Sequence, residues 1–316
     1  MPLHPAFRAY LDELNPRVEE AARAGVVATP ESARAALAAL AGFAAPQVAV
    51  ARVEDRVIAG VSVRVYAPAP EIASHVVLFV HGGGHLAGDL DVYDFSARRT
   101  AAATGMVVVS VDYRRAPEAR FPAGLTDVYA VLGALEGGLD GFATTGRVHA
   151  MADSGGAAKV ASIAMRVAGG EWTSPIDRQV LLYPSVDYTM SGASMRELAT
   201  GHLLTAERVA WYFDHYFPLA SDQPEADRSA ASPLSGPYAA DMPETLVIAA
   251  EYDPLSSEAE EYVARARAAG APVTLLVAPG MIHAFAFFET LIPDEIDRLY
   301  GIIGAFLRDG VAPAVW

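Results

Sequence analysis

The chain has 316 residues, 53% of them hydrophobic, with a formal net charge of −15, a pI near 4.9 and no cysteine. The acidic balance excludes nucleic acid and anionic membrane surfaces as partners, because both need clustered Lys and Arg. The missing cysteines exclude disulfides, thiolate catalysis and Cys-ligated zinc, while the length suits one large α/β domain carrying an inserted lid.

The chain opens Met1-Pro-Leu-His-Pro-Ala-Phe7, with no basic stretch followed by an apolar run. No signal peptide is expected, and a cytoplasmic location is the default reading. No run approaches the roughly 18 apolar residues of a membrane-spanning helix, so no membrane span is expected. Residues 5–43 predict helices: Phe7, Tyr10, Leu11 and Leu14, then Ala35, Leu37, Leu40 and Phe43, recur at helical spacing. Pro16 and Thr29-Pro30 punctuate them, with Thr29 as an N-cap. These helices precede the first strand, as a packing arm or as part of a lid.

Val48–Val53 and Val57–Tyr66 predict an antiparallel strand pair turning at Glu54-Asp55-Arg56. Apolar runs of parallel-strand type follow at His75–Val80, Met106–Asp112, Arg147–Ala152, Gln179–Tyr183, Thr245–Ala250 and Val273–Ala278. Helical patterns separate most of them, at Asp94–Thr104, Pro122–Leu135, Gly156–Ala168, Ser256–Ala269 and finally Asp294–Arg308. This is the alternation of an α/β fold: a mostly parallel sheet of about eight strands with helices on both faces.

The alternation breaks after Tyr183-Pro184. A turn-rich piece leads into a helix from Thr205, its N-cap, to the stop at Pro218, carrying Trp211, Tyr212, Phe213, Tyr216 and Phe217. So many aromatics cover more than one narrow face, which suits a cap over the active face better than a plain crossover helix. The expected division is N-terminal helices over 1–45 as part of the cap, core over 46–186, cap insertion over 187–225, and core again over 226–316.

Three chemical motifs follow strand ends, where ligands of open α/β sheets sit. In Met151-Ala-Asp-Ser154-Gly-Gly156, the serine lies between an apolar strand and a small-residue helix. A sharp turn there lifts Oγ above the sheet and tolerates only small residues two before and two after, here Ala152 and Gly156. A serine among small residues is also an ordinary turn, so this motif does not decide alone. Asp153, inside the turn, reads as structural. Next, His81-Gly-Gly-Gly84-His85 follows the third strand; its glycines can turn N–H groups inward as an anion nest. No Gly-Lys-Ser/Thr follows, so it is not a P-loop, and three glycines cannot hold the helix that would join His81 and His85 on a metal. An oxyanion hole remains, with Gly83, Gly84 and Gly155 as donors. Finally, Asp253-Pro254 and Gly280-Met-Ile-His283 follow the last two runs. The order Ser154, Asp253, His283 is that of the α/β-hydrolase triad. Of the nearby carboxylates, Glu251 reads as loop packing. Glu258, in the first turn of the next helix, is stabilised by the helix dipole and orients the loop around Asp253.

These residues, with Gly88-Asp-Leu-Asp91, Asp94, Asp112-Tyr-Arg114-Arg-Ala-Pro-Glu118, Phe121-Pro122 and Phe285, resemble the bacterial hormone-sensitive-lipase-like esterases over roughly residues 45–316. The family reads Gly, Ala and Gly where this chain has Ala152, Gly155 and Ala157, and usually a bulky aromatic or apolar residue at His85. The resemblance implies a serine carboxylesterase acting on short- to medium-chain acyl esters through an acyl-enzyme on Ser154. His283 is then the base and Asp253 its orienting acid, with His85, Trp211, Tyr212 and Phe285 around the substrate. It implies a small-molecule ester as partner, no metal and no organic cofactor; a homodimer stays open. Arg114 and Glu118 are expected to form an ion pair bracing the turn before Phe121-Pro122. Amide, lactone or carbamate hydrolysis, or transfer to an alcohol, would use the same triad. A hormone receptor on this fold, as in the plant gibberellin receptors that lack the histidine, is disfavoured by His283.

Overall fold

Strands apolar on both faces must be covered on both, and that requirement organises the molecule. The computed structural model describes residues 1–218 and 228–316. In chain order the elements are α1 (Pro5–Arg23), α2 (Pro30–Leu40), β1 (Arg52–Ile58), β2 (Val61–Ala67), β3 (Ser74–Val80), α3 (Asp94–Thr104), β4 (Val107–Val111), α4 (Ala123–Ala134), β5 (Thr144–Asp153), α5 (Ser154–Ala168), β6 (Ile176–Leu182), α6 (Ser194–Glu197), α7 (Ala206–Tyr216), α8 (Arg228–Ala231), β7 (Glu244–Tyr252), α9 (Ser256–Ala268), β8 (Val273–Ile282) and α10 (Pro293–Asp309).

The eight strands form one sheet in the order β1-β2-β4-β3-β5-β6-β7-β8. β2 pairs antiparallel with both β1 and β4, and the other neighbours are parallel. Alternate side chains divide the core. Val76, Leu78 and Val80 of β3 face α4, α5 and α9, through Leu125, Val160 and Val263 among others. Val77 and Phe79 face α3 and α10, through Ala101, Ile303 and Phe306. α1 joins that second layer by Phe7 and Leu11, Phe7 meeting Phe288 edge-on at 5.2 Å.

The first hairpin differs from the sequence expectation. Ile58 pairs with Val61, so the turn is Ala59-Gly60, with φ of +50° and +82°. Positive φ at both central residues is what a tight two-residue hairpin needs. Glu54, Asp55 and Arg56 lie inside β1, where Arg52 and Arg56 both pair with Glu54. Alternating charges on an edge strand thus imitated a turn. Pro16 does not end its helix either, since α1 runs on to Arg23. Thr29 caps α2 in a reciprocal box with Ser32, and Thr205 caps α7 through the Arg208 N–H.

β3 has β4 on one side and β5 on the other, so the chain's direction of travel across the sheet reverses there. The crevice beyond the carboxyl ends at such a point is where an α/β sheet binds ligands. The loop after β3 and the turn from β5 into α5 both leave the sheet at this place.

Candidate active site

β5 ends at Asp153 in an extended conformation, and α5 begins at Ser154 with φ +47°. A non-glycine residue held there is strained and needs support from its surroundings. Gly156 allows the close approach: a Cβ on it would lie 2.1 Å from the Val80 carbonyl oxygen and 2.4 Å from that of His81. Ala152 and Ala157, where the resembled family has glycine, are fully buried in the core below. Asp153 is structural support. Its carboxylate accepts from the Gly82 N–H at 2.6 Å and the Tyr93 hydroxyl at 3.1 Å, tying the elbow to the β3 loop. Burial raises its pKa to about 6.

Register brings the other two residues together. Tyr252 of β7 pairs with Ile282 of β8, so Asp253 and His283 leave adjacent strands side by side. His283 Nδ1 lies 2.7 Å from Asp253 Oδ2, and His283 Nε2 lies 3.0 Å from Ser154 Oγ. The other carboxylate oxygen accepts the Leu255 N–H at 2.9 Å. Asp253 is fully buried, whereas Ser154 and His283 keep 9% and 7% exposure, so the reacting end alone meets the outside. A hydroxyl, an imidazole and a carboxylate in series can move a proton off the hydroxyl as it attacks.

The neighbouring carboxylates are engaged elsewhere. Glu251 takes the Gly280 N–H at 2.7 Å and pairs with the amino group of Met1. Glu258 is buried, and burial pushes its pKa well up. It accepts the N–H groups of Val186 and Asp187 at 2.7 and 3.2 Å, so it holds the loop after β6 rather than the loop around Asp253. The expected Arg114–Glu118 pair is also corrected. Arg114 pairs with Asp127 at 2.7 Å, and Glu118 takes both terminal nitrogens of Arg34. Arg34 further donates to the carbonyls of Leu86 and Ala116, so one side chain fastens α2 to both loops.

Gly83 and Gly84 have φ of +98° and +60°, and a Cβ on either would strike the Ala87 carbonyl or the Tyr212 ring. Their N–H groups make no backbone hydrogen bond among the described residues. The Gly155 N–H lies in the first turn of α5, where a helix has no acceptor for it. These are the free donors that an oxyanion needs.

The four residues expected around the substrate separate into two pairs. Tyr212 covers Gly84, and Trp211 beside it packs with Tyr212 toward Ala33 and Leu37 of α2. His85 and Phe285 are buried. Phe285 packs edge-on against Tyr183 and Trp316. The His85 ring stacks on Tyr216 at 3.8 Å, and its Nδ1 lies 2.9 Å from Lys159 Nζ. Sequence reasoning passed over Lys159, Tyr93 and Arg34. Lys159 had a local signal: it is the one charge in the run Ser154–Met165, all of which is buried.

Comparison with known proteins agrees with this geometry. A family model described as alpha/beta hydrolase fold matches residues 77–287. The ethyl acetate hydrolase of Pseudomonas putida is 30% identical over 251 residues, 77% of each chain. Esterase LipI of Mycobacterium tuberculosis is 34% identical over 259 residues, again 77% of each. The crystal structure of the Pyrobaculum calidifontis esterase superposes with a TM-score of 0.84 at 30% identity, covering 99% of this chain and all of that one.

Proposed function

The chain belongs to the hormone-sensitive-lipase-like esterases of the α/β-hydrolase fold, and from that premise we propose that it hydrolyses carboxylic esters with Ser154 as nucleophile, His283 as base and Asp253 as the orienting acid. The observation that carries the assignment is the unbroken series from Asp253 Oδ2 through His283 to Ser154 Oγ, at 2.7 and 3.0 Å.

Ser154 Oγ bonds to the ester carbonyl carbon as its proton passes to His283 Nε2. Asp253 holds the Nδ1–H tautomer and steadies the imidazolium. The carbonyl oxygen, now an oxyanion, receives hydrogen bonds from the N–H groups of Gly83, Gly84 and Gly155. His283 returns the proton to the leaving alkoxide as the ester C–O bond breaks. Water then repeats the sequence on the acyl-enzyme and frees the acid and Ser154. No metal or organic cofactor takes part.

The substrate is a small ester with a short to medium acyl chain. Tyr212 over Gly84 and Trp211 beside it wall the space above the nest and limit the length it accepts. The relative named for ethyl acetate hydrolysis supports the same preference. Residues 1–45 and 187–225 form the cap, as the packing of α2 against Trp211 and Tyr212 suggests; residues 219–225 of that span lie outside the described residues. Among the described residues no helix is long and apolar enough to cross a membrane; cytoplasmic residence belongs to the proposal and is checked by cell fractionation.

A panel of p-nitrophenyl esters tests the reading, with Ser154→Ala beside the unaltered enzyme. Turnover should rise with acyl length while each added methylene gains about 0.8 kcal/mol of burial, then fall once the wall is met. Ser154→Ala should keep the fold and lose three to six orders of magnitude, roughly the range seen for triad removal. Better turnover of long-chain triglycerides than of butyrate esters would refute the acyl preference.

A further inference from the structure

Lys159 is 1% exposed, lies five residues after the nucleophile on α5, and among the described residues has no carboxylate bonded to it. An isolated ammonium is costly to bury, so its surroundings have to compensate. Its Nζ lies 2.9 Å from His85 Nδ1 and 3.3 Å from the Gly155 carbonyl oxygen, and 4.1 Å from the centre of the Tyr113 ring. An ammonium has three N–H donors. Here they meet a ring nitrogen, a carbonyl and the face of an aromatic ring.

His85 is held as firmly. Its backbone has φ +66°, its ring is sandwiched flat against Tyr216, and Tyr188 meets it edge-on at 5.6 Å. Burial pushes its pKa well down, which keeps Nδ1 available as an acceptor. His85 directly follows Gly84, and a Cβ on Gly155 would come within 3.1 Å of the His85 backbone nitrogen. The lysine therefore joins the two backbone segments that carry the oxyanion donors.

We propose that Lys159 and His85 are a positioning pair for the oxyanion hole: the buried ammonium locks the β3 loop to the head of α5 and places a positive charge at the Gly155 carbonyl, in the first turn of that helix. This rests on the assignment of Ser154 as nucleophile and extends it. Neither side chain touches the substrate. A charge in a water-poor site acts on a developing oxyanion more strongly than it would in water. Facing the ammonium are His85 from the β3 loop, Tyr113 from the segment after β4 and Tyr216 from α7, at 5.5 Å; Asp153 is the carboxylate whose field supports its charge, and His81, stacked on Tyr113 and within reach of that charge, is kept neutral by burial. α4 approaches with Gly124, which brings no charge. Burial lowers the lysine pKa to about 7, so its charge is present below neutrality and lost above it.

The test is the ratio of kcat for the unaltered enzyme to kcat for Lys159→Met, on p-nitrophenyl butyrate from pH 6 to 9. Any pH dependence that the two enzymes share cancels in the ratio. The ratio should be about tenfold at pH 6 and approach one by pH 9, with KM within about twofold throughout; a charge set back from the oxyanion is worth less than a deleted oxyanion donor. A structural role alone gives a ratio independent of pH, and that result overturns the proposal. If Lys159→Met does not fold, Lys159→Gln, which keeps a donor without the charge, is read by the same ratio. His85→Phe keeps the stack on Tyr216 and removes the acceptor. It should lower kcat in the same direction, and adding Lys159→Met should cost no more than the worse single change. A double variant that loses the product of the two single effects also overturns the pair. Organophosphate labelling of Ser154 separates the two levels: an unlabelled serine in the unaltered enzyme refutes the nucleophile, whereas a labelled serine with a flat ratio refutes only the pair.

Discussion

Among single residues, the acid of the triad had the most rivals. Glu251, Asp253 and Glu258 lie within eight positions of one another, and composition treats them alike. The sequence favoured Asp253 because Pro254 keeps the residue before it out of the helical region, just where a strand gives way to a loop. The structure separates all three by partner: the amino group of Met1 and Gly280 for Glu251, His283 for Asp253, and the Val186 and Asp187 amides for Glu258. Asp253→Asn should lower kcat by roughly two to four orders of magnitude with little change in folding, because the amide imposes the wrong tautomer on His283. Glu251→Gln and Glu258→Gln should each cost less than about tenfold. Steady-state kinetics on one ester decide it, and a nearly inactive glutamate variant beside a working Asp253→Asn moves the assignment. Lys159 lies within a helix, away from the loops that carry the motifs. A charge inside a uniformly small and apolar helix was the sign available.

Between elements, the contacts that matter are close approaches rather than large areas. The head of α5 lies against the end of β3 because Gly156 has no side chain. Gly156→Ala would set a methyl group 2.1 Å from the Val80 carbonyl oxygen, backbone against backbone with nothing flexible to yield. Overpacking of this kind typically costs about 1–3 kcal/mol. Here it also displaces Ser154, so kcat/KM should fall by about a hundredfold or more, since misplacement near 1 Å costs about that much. Thermal unfolding and kcat/KM measured together check this; unchanged values for both would contradict the packing described. The strand-to-helix boundaries were legible because glycine, small residues and apolar runs change together there. The first hairpin was not, since charges alternating along an exposed strand have the composition of a turn while Ala59-Gly60 carries the backbone signal. Arg114 and Glu118 misled for a related reason. Four positions apart suggests a local pair, but the chain turns between them, and each finds its partner in a helix, Asp127 in α4 and Arg34 in α2.

Across the whole molecule, alternation of strand and helix was readable because it follows from rules of chain path, as was the meeting of Ser154, Asp253 and His283 at the strand ends. Strand order and buried polar partners depend on tertiary contacts and were not. Buried titratable groups give the fold its pH dependence. His149 is fully buried in β5, and burial lowers its pKa to about 4. An unfolded chain takes up that proton near pH 6.5. Between about 6.5 and 4 the unfolded state therefore holds more protons, and the stability present above 6.5 is lost as pH falls. His149→Phe removes this loss, so its Tm relative to the unaltered protein should rise between pH 8 and pH 5. A Tm difference that stays constant over that range contradicts the assignment. The proposed function of the molecule as a whole comes down to one covalent bond. Inactivation with a fluorophosphonate, followed by peptide mass spectrometry, locates it directly. The added mass should sit on Ser154, in proportion to the activity lost, and disappear when His283→Ala is treated under the same conditions. A label on any other residue, or full inactivation with Ser154 unmodified, would contradict the account.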